Sequence, residues 1–478
     1  YLGNTDILEG VLLANGSLDS HVWVRELAGF GGNGTVNNVV SFIGGSHYYW
    51  RFGATESESD MLTVKDNVYI GDNVLFKPVP LLSKEYLNSF ENWKVLNYWS
   101  ALNGRFAGID NSSSAFFDFE LDYDQQNYVT ISGYLRREPR PLSDIVATSL
   151  MLAQTKMYRT AYQQITREWL SECAEHPSHE SVTQSMQSRG QASHRSQRTA
   201  WMTFVGRGDD FESTYFKEGF NLQSYGVQAG LSFLSNCTRS FGLLFGREEG
   251  KLSNYSDQVK NEDYYLGLYY GQVFRSDLDI RTYIGGGWQN NNLIRTNNGY
   301  RYSSNYDGNT FNLNFEIGRR FKGRRNWNIR FFAGADLEVS RIGSSTERSL
   351  DWEKSNEYRR YYRSELTKFI TRAGMEAMKN WRRIDFHAGS QLGWNFGDTR
   401  PTTDIYYPDL EGTGIKTNVL GGGAHLGRFE WGFNVGMNWF LSERRNSLFF
   451  LEYNGDIYLD RDGNTSAGGG TVGFSWRY

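Results

Sequence analysis

The chain has 478 residues, 22% charged and 16% aromatic, with a formal net charge of −4. So balanced a charge argues against a nucleic-acid partner, which normally calls for a basic bias. Mean hydropathy is −0.58, and no stretch approaches the roughly 18 apolar residues of a spanning helix, which excludes a helical membrane protein. Gly, at 52 residues, exceeds its usual share of roughly 7%, and Pro, at 7, falls short of roughly 5%. Aromatics and glycines sorted onto opposite faces of strands would produce this composition. They would also hide a transmembrane barrel from a hydropathy plot, since only every second residue meets lipid.

The chain starts at Tyr1 without a charged-then-apolar leader, so we expect a processed or incomplete product whose secretion signal lies upstream. Residues 1–140 are short strand-like runs among Gly, Asn and Asp. Lys65-Asp66-Asn67-Val68-Tyr69-Ile70-Gly71 is echoed by Gly71-Asp72-Asn73-Val74-Leu75-Phe76, a short internal repeat that suggests the stacked rungs of a β-solenoid. An edge sheet or an irregular globule stays open for residues 1–110. Phe117–Tyr123, a polar turn at Asp124–Asn127 and Tyr128–Ile131 read as a hairpin cap. Trp23, Trp50 and Trp93 are expected in the core.

Residues 141–197 form a linker, in which 143–170 lacks Gly and Pro and follows Pro141, so one helix is expected there, ending before His176-Pro177. Ile145, Leu152, Tyr158, Ile165 and Trp169 make an imperfect apolar stripe, while Lys156, Arg159, Gln163, Gln164 and Arg167 are too polar for lipid. Twenty-eight residues at 1.5 Å each would span about 42 Å, more than a bilayer core of about 30 Å. Such a helix suits a polar lumen.

Cys173 follows that helix, and Cys237 falls in a short turn between two strands; a Cys173–Cys237 disulfide is expected, both thiols lying at one barrel mouth in an oxidising compartment. The alternative, Cys173-x-x-His176-x-x-His179, lacks the fourth ligand of a structural zinc site. No metal and no cofactor are expected.

Residues 198–478 divide into twelve segments with period-2 alternation. In the last, Val472, Phe474, Trp476 and Tyr478 share one face and Thr471, Gly473, Ser475 and Arg477 the other. Phe311, Leu313, Phe315 and Ile317 likewise oppose Asn312, Asn314, Glu316 and Gly318, and the remaining segments follow suit. Short connections, such as 275–277 and 442–446, alternate with long ones at 208–222, 251–262, 290–309, 341–362 and 397–429. Short turns on one side and long loops on the other mark an outer-membrane barrel; a soluble sandwich would need a second sheet to cover each face. The expected fold is all-β: a 12-stranded antiparallel transmembrane barrel with a helix in its lumen, after a β-rich, solenoid-like N-terminal part. Arg281, Arg330, Arg372, Asp385, His387, Glu452 and Asp456 would face the lumen, where Gly226, Gly230, Gly242, Gly246 and Gly267 would clear space for the helix or relieve curvature. Asp385 and His387, two apart on one face, could form an acid–His pair. With no serine nucleophile motif nearby they read as lumen lining, and no catalytic residues are assigned.

The run from Trp201 through Gly206-Arg207, an acidic loop, Tyr225-Gly226-Val227-Gln228-Ala229-Gly230 and Gly242-Leu243-Leu244-Phe245-Gly246 resembles the opening of the β-domain of monomeric autotransporters, the type V secretion family. The family usually ends in Phe or Trp, whereas this chain ends in Tyr478. The resemblance, over about residues 105–478, implies that residues 1–140 are the end of a passenger displayed on the cell surface. The helix, with Ile145, Leu152, Lys156, Tyr158, Arg159, Gln163 and Arg167, would thread the pore. Val472, Phe474, Trp476 and Tyr478 would be read by the barrel-assembly machinery. The implied partners are outer-membrane lipid and that machinery, around a monomeric barrel. Alternatives are a docking subunit joined to surface-assembly proteins and a helix-gated channel. Some members cut their passenger at an Asn of the pore helix; residues 143–170 contain no Asn, so the passenger is expected to stay attached.

Overall fold

A computed structural model describes every residue except 1–2, 81–87, 111–113, 115, 137–141, 144, 151–156, 174–196, 212–219, 237, 255–256, 275, 298–299, 324–326, 351–357, 382, 412–416, 424–426, 443–445 and 461–462. Residues 3–109 wind into a three-sided parallel β-solenoid. One sheet stacks Thr5–Ile7, Val22–Val24, Val40–Phe42, Val68–Ile70 and Leu102–Asn103; a second stacks Val11–Leu13, Gly29–Gly31, His47–Phe52, Leu75–Pro80 and Gly108–Ile109. The third holds Ser17–Leu18, Thr35–Val36, Leu62–Val64 and Phe90–Tyr98. Register sets the true repeat: Val11 pairs with Gly29 and Gly29 with His47, one turn every 18 residues, before insertions lengthen the later turns. The echo between Lys65–Gly71 and Gly71–Phe76 is therefore not rung to rung. It relates adjacent sides of a single turn, Val68–Ile70 and Leu75–Pro80.

Two devices hold the solenoid. At the corner before the second sheet, Leu27, Gly45 and Asn73 occupy equivalent positions and all adopt left-handed φ, 65°, 82° and 61°, so the same sharp bend recurs. Inside, rings stack both from turn to turn, Tyr48 on Phe76 at 5.2 Å, and within one strand, Trp50 on Phe52 at 4.9 Å. The buried polar tips are satisfied, with Trp50 Nε1 donating to the Asp60 carbonyl at 2.6 Å and Tyr48 Oη to the Val95 carbonyl at 2.6 Å. Trp23 and Trp93 are only partly buried, Trp23 stacking on His21 and Trp93 on Phe90. The hairpin Phe117–Asp122/Tyr128–Leu135 adds antiparallel to Phe90–Tyr98 and closes that side.

Within the segment 143–170, where one helix is expected, the described residues include two helical stretches, α1 (Ile145–Ser149) and α2 (Met157–Cys173). Leu152 and Lys156 lie outside the described residues.

The barrel strands are β1 (Gln197–Phe211), β2 (Phe220–Asn236), β3 (Arg239–Ser253), β4 (Asp257–Val273), β5 (Leu278–Asn297), β6 (Tyr300–Lys322), β7 (Trp327–Ile342), β8 (Ser364–Trp381), β9 (Ile384–Asn395), β10 (Phe429–Phe440), β11 (Ser447–Asp460) and β12 (Gly463–Arg477). Each pairs antiparallel with the next, and β12 pairs with β1 from Thr199↔Arg477 to Phe211↔Thr465, so the cylinder closes at twelve. Phe204, Phe245, Leu266, Phe315, Phe331, Leu392, Leu451 and Phe474 stand outward and exposed, as a lipid-facing band requires. Trp327, Trp381, Trp439 and Trp476, exposed near the short-turn end, form one aromatic girdle; Trp288, stacked on Tyr264, marks the other.

Several expected long loops turn out to be strand. β5 and β6 run on to Asn297 and from Tyr300, and β3 and β4 leave only 254–256 between them. Twenty-three residues of β6 span about 76 Å at 3.3 Å each, where about 9–11 suffice to cross a bilayer. The extra length stands outside the membrane with its polarity reversed. Along β6, Phe311, Leu313, Phe315 and Ile317 face out around Asn312, Asn314 and Glu316; further out, Arg301, Asn305 and Asp307 face out around the buried Tyr302 and Tyr306.

Two segments do form long connections, and they fold over the mouth. Ser345–Thr346, Arg360–Tyr361, Thr402–Tyr406 and Asn418–Gly422 build a small sheet, a lid, to which Leu142–Ser143 adds as a parallel edge strand against Gly421–Gly422. We expect Trp50→Ala to destabilise the solenoid by about 3–5 kcal/mol. Limited proteolysis should then degrade residues 3–135 while the barrel keeps its heat-modifiable gel mobility.

Candidate functional site: the helix-filled lumen

α2 lies in the lumen with its C-terminal end toward the short turns: the Arg477 guanidinium donates to the Glu168 carbonyl at 3.4 Å, beside the paired chain ends Arg198 and Tyr478. Its two faces meet different walls. On one, Arg159 grips Asp456 with both η nitrogens, at 2.6 and 3.0 Å, and reaches Glu430 at 3.3 Å. One turn on, Gln163 donates to Glu452. Arg167 then donates to Glu452 at 3.0 Å and to Asn438 at 3.3 Å, with its guanidinium 3.5 Å from the centre of the Phe450 ring. The spacing of four residues sets Arg159, Gln163 and Arg167 in one row, facing β10 and β11.

The opposite face is aromatic. Tyr158, Ala161, Tyr162, Ile165 and Trp169 pack against Trp201, Leu244, Tyr265, Tyr269 and Tyr283 of β1 and β3–β5. Polar tips are tied off there too: Tyr162 Oη donates to the Arg281 carbonyl at 3.2 Å, and Ser232 bonds both Glu168 and Tyr269.

The expected lumen residues thus divide. Glu452 and Asp456 hold the helix. Arg281, Arg330 and Arg372 are chiefly wall ties: Arg330 bridges Asp279 at 2.7 Å and Glu316 at 2.5 Å, Arg372 bridges Glu316 at 2.5 Å and Asp336 at 2.9 Å, and Arg281 reaches Glu376 at 3.2 Å. Two of them also meet the helix through ring faces, Arg372 4.9 Å from the centre of Tyr158 and Arg281 5.6 Å from that of Trp169. Asp385 accepts from Asn380 at 3.0 Å, whereas His387 Nε2 lies 3.6 Å from Glu452. The two therefore turn to different partners. Glu430 and Asn438 also meet the helix, through Arg159 and Arg167, whereas the wall carboxylates Asp279, Glu316 and Asp336 pair with arginines on adjacent or next-but-one strands.

Four of the lumen glycines clear space for rings of the wall that in turn pack against the helix. A Cβ on Gly230 would meet the Trp201 ring at 2.4 Å, on Gly242 and Gly246 the rings of Tyr269 and Tyr265 at 2.4 and 2.3 Å, and on Gly267 that of Tyr283 at 2.3 Å. These glycines seat rings that lie flat along the wall. Gly271 faces the helix itself, where a Cβ would meet Ile165 at 2.5 Å and Trp169 at 2.7 Å.

The expected Cys173–Cys237 disulfide and the 173–179 metal spacing fall on side chains outside the described residues. Among the described residues no cluster of three metal-ligating side chains occurs. Ile145 is in α1, outside the α2 row; it is buried in a dry collar at the outer mouth. There the lid holds a charged centre of its own. Glu347 accepts from Arg295 at 2.8 and 2.7 Å, from the Arg359 amide at 2.8 Å and from Tyr361 at 3.0 Å. Burial alone would push the Glu347 carboxyl up, but the Arg295 guanidinium, with Arg359 behind it, holds it below the usual carboxylate range.

Two outcomes follow. Arg159→Ala should cost about 3–5 kcal/mol, because Asp456 loses its buried partner; the temperature at which the barrel loses its compact gel mobility should fall. Asp456→Leu in the same background should restore part of it. A carboxyl held low stabilises above its unfolded pKa and loses that contribution as pH falls through its lower, folded value. Proteolysis of the lid should thus stay slow at neutral pH and accelerate only well into acid, whereas Glu347→Gln should be fast, and flat, across that window.

The model of the family described as "Autotransporter beta-domain" matches residues 200–454. Among solved structures, the translocator domain of NalP from Neisseria meningitidis is similar at 10% identity, covering 63% of this chain and 93% of that one with a TM-score of 0.47. The β-domain of Bordetella BrkA follows at 14% identity, 59% and 100% coverage and a TM-score of 0.42. The transport unit of AIDA-I from Escherichia coli gives 13%, 63% and 98%, and 0.38. No curated protein matches the chain by sequence. The family match spans more than half the chain and all but the last of the twelve strands. This chain belongs to the autotransporter family, whose β-domain, a barrel of the bacterial outer membrane, it carries.

Proposed function

We propose that the barrel exports and then anchors its own N-terminal part, so that residues 1–140 stand on the cell surface as an attached passenger, residues 141–197 link it and residues 198–478 are the translocator. The observation that carries this is directional. α2 descends from the outer mouth, where the solenoid ends, to the short-turn end, where β1 begins, so the chain passes once through the pore. Export needs a driving force and no nucleotide site is required: solenoid turns bury rings against the turn before, as Phe76 does on Tyr48 and Trp50, and folding outside opposes return. The cap strands Phe117–Asp122 and Tyr128–Leu135 are nearest the barrel and would order first. Val472, Phe474, Trp476 and Tyr478, the alternating face of β12, are the natural signal for the barrel-assembly machinery. Their strand forms the closing seam.

A docking subunit within a larger surface assembly would use the same architecture with the solenoid as the partner's platform. A gated channel is less favoured, because α2 fills the lumen. Protease added to intact cells should remove residues 1–135 and leave a protected barrel fragment, and untreated membranes should yield a single chain. Protection of the solenoid in intact cells, or a cut inside α2 in untreated membranes, would defeat the proposal. In planar bilayers the whole chain should be nearly closed, and deletion of residues 143–170 should open it; a large current from the intact chain would favour the channel.

A further inference from the structure

The closure at α2 leaves room for water. A cavity of about 60 Å³ beside the helix is lined by Arg159, Gln163, Asn434 and Asn454 together with Tyr162 and Phe433, space for about four waters at 10–15 Å³ each. Charged pairs line one face of α2, so this closure is polar. A different arrangement lies above it. All five residues of α1 are buried, as is Leu150, each at 3% exposure or less. Ile145, Val146 and Leu150 belong to one buried apolar cluster with Leu252 and Val259 of the extramembrane wall and Ile405 and Val419 of the lid, the strands that α1 packs against. The hydroxyl of Ser149 donates to the Val146 carbonyl at 2.7 Å and accepts from Tyr306 Oη at 2.8 Å, so that polar tip is satisfied internally.

The lid clasps this plug by backbone. A Cβ on Gly423 would lie 2.8 Å from the Thr148 nitrogen and 3.0 Å from the Ala147 carbonyl carbon, a contact that no side chain can share. Arg400 fixes the same turn, Nε donating to the Gly423 carbonyl at 2.9 Å. Just before α1, the chain is itself a strand of the lid sheet, Leu142–Ser143 against Gly421–Gly422.

We propose that the pore carries two seals in series: the polar closure around α2 within the membrane, and a dry one outside it, in which the lid clamps α1 and strand Leu142–Ser143. The occupant is this chain's own linker, and the proposal rests on the translocator reading. The outer seal holds when the inner one is broken. Beside it, Phe116, which leads into the cap hairpin, packs edge-on against Tyr407 of the lid region at 5.5 Å.

The test uses the full chain in planar bilayers. Arg159→Glu/Arg167→Glu turns the α2 row against Asp456 and Glu452; Ile145→Glu/Gly423→Val breaks the clamp. Each pair alone should leave the pore nearly closed, and the combination should raise the current at least about tenfold over either, the non-additivity expected of coupled sites. An α2 variant that conducts as well as the combination would overturn the proposal, as would a combination that stays closed. If the clamp variant fails to insert, hydrogen exchange in the α2 variant decides alone. Residues 145–150 should stay protected there, and their rapid exchange would refute an independent outer seal. Failure of the translocator reading would look different: the solenoid would be shielded from protease in intact cells, whatever the currents.

Discussion

Hydrocarbon offers a peptide group nothing to bond with, so every N–H and C=O that crosses the membrane must find its partner in the protein. Everything else in this chain depends on that condition. Twelve strands meet it because β12 returns to β1 over thirteen consecutive register pairs, leaving no edge. Closure then creates a lumen, and a lumen of this size cannot remain a void lined by Arg281, Arg330, Arg372, Asp279, Glu316 and Asp336. The wall's charges neutralise one another across neighbouring strands, and those left over, Glu452 and Asp456, take the guanidinium groups of α2.

The strands were legible because lipid imposes a strict rule on alternate residues. That rule ends at the membrane surface, and so did the sequence reading. In β6, the run Phe311–Ile317 announces itself, while Arg301–Asp307 continues the same pleat with the opposite polarity. A search for apolar outward faces finds nothing there and sees a loop. The solenoid was visible in kind but not in period, since the clearest echo lay between adjacent sides of one turn and the 18-residue spacing is broken by insertions after Phe52 and Pro80.

Legibility of the lumen divides by the same logic. Alternation points Glu452 and Asp456 inward, and composition makes Arg159 and Arg167 unfit for lipid. Their pairing spans 297 and 285 residues, and no local pattern reports a contact at that distance. Tyr265, Tyr269 and Tyr283 were missed for another reason: a lumen expected to be polar has no evident place for rings. The different settings of α1 and α2 were equally hidden. Residues 143–170 contain neither Gly nor Pro, and the two halves differ in what surrounds them, a dry collar for one and a charged channel for the other.

The rings that lie on glycines carry a consequence for how this barrel can vary. Trp201 on Gly230, Tyr269 on Gly242, Tyr265 on Gly246 and Tyr283 on Gly267 are each a pair divided between neighbouring strands. Neither member can change freely: a larger residue at the glycine expels the ring into the channel, and a smaller ring leaves a slot in the wall. The diameter available to α2 is therefore written in couples rather than in single residues. Related chains should exchange these positions two at a time or not at all.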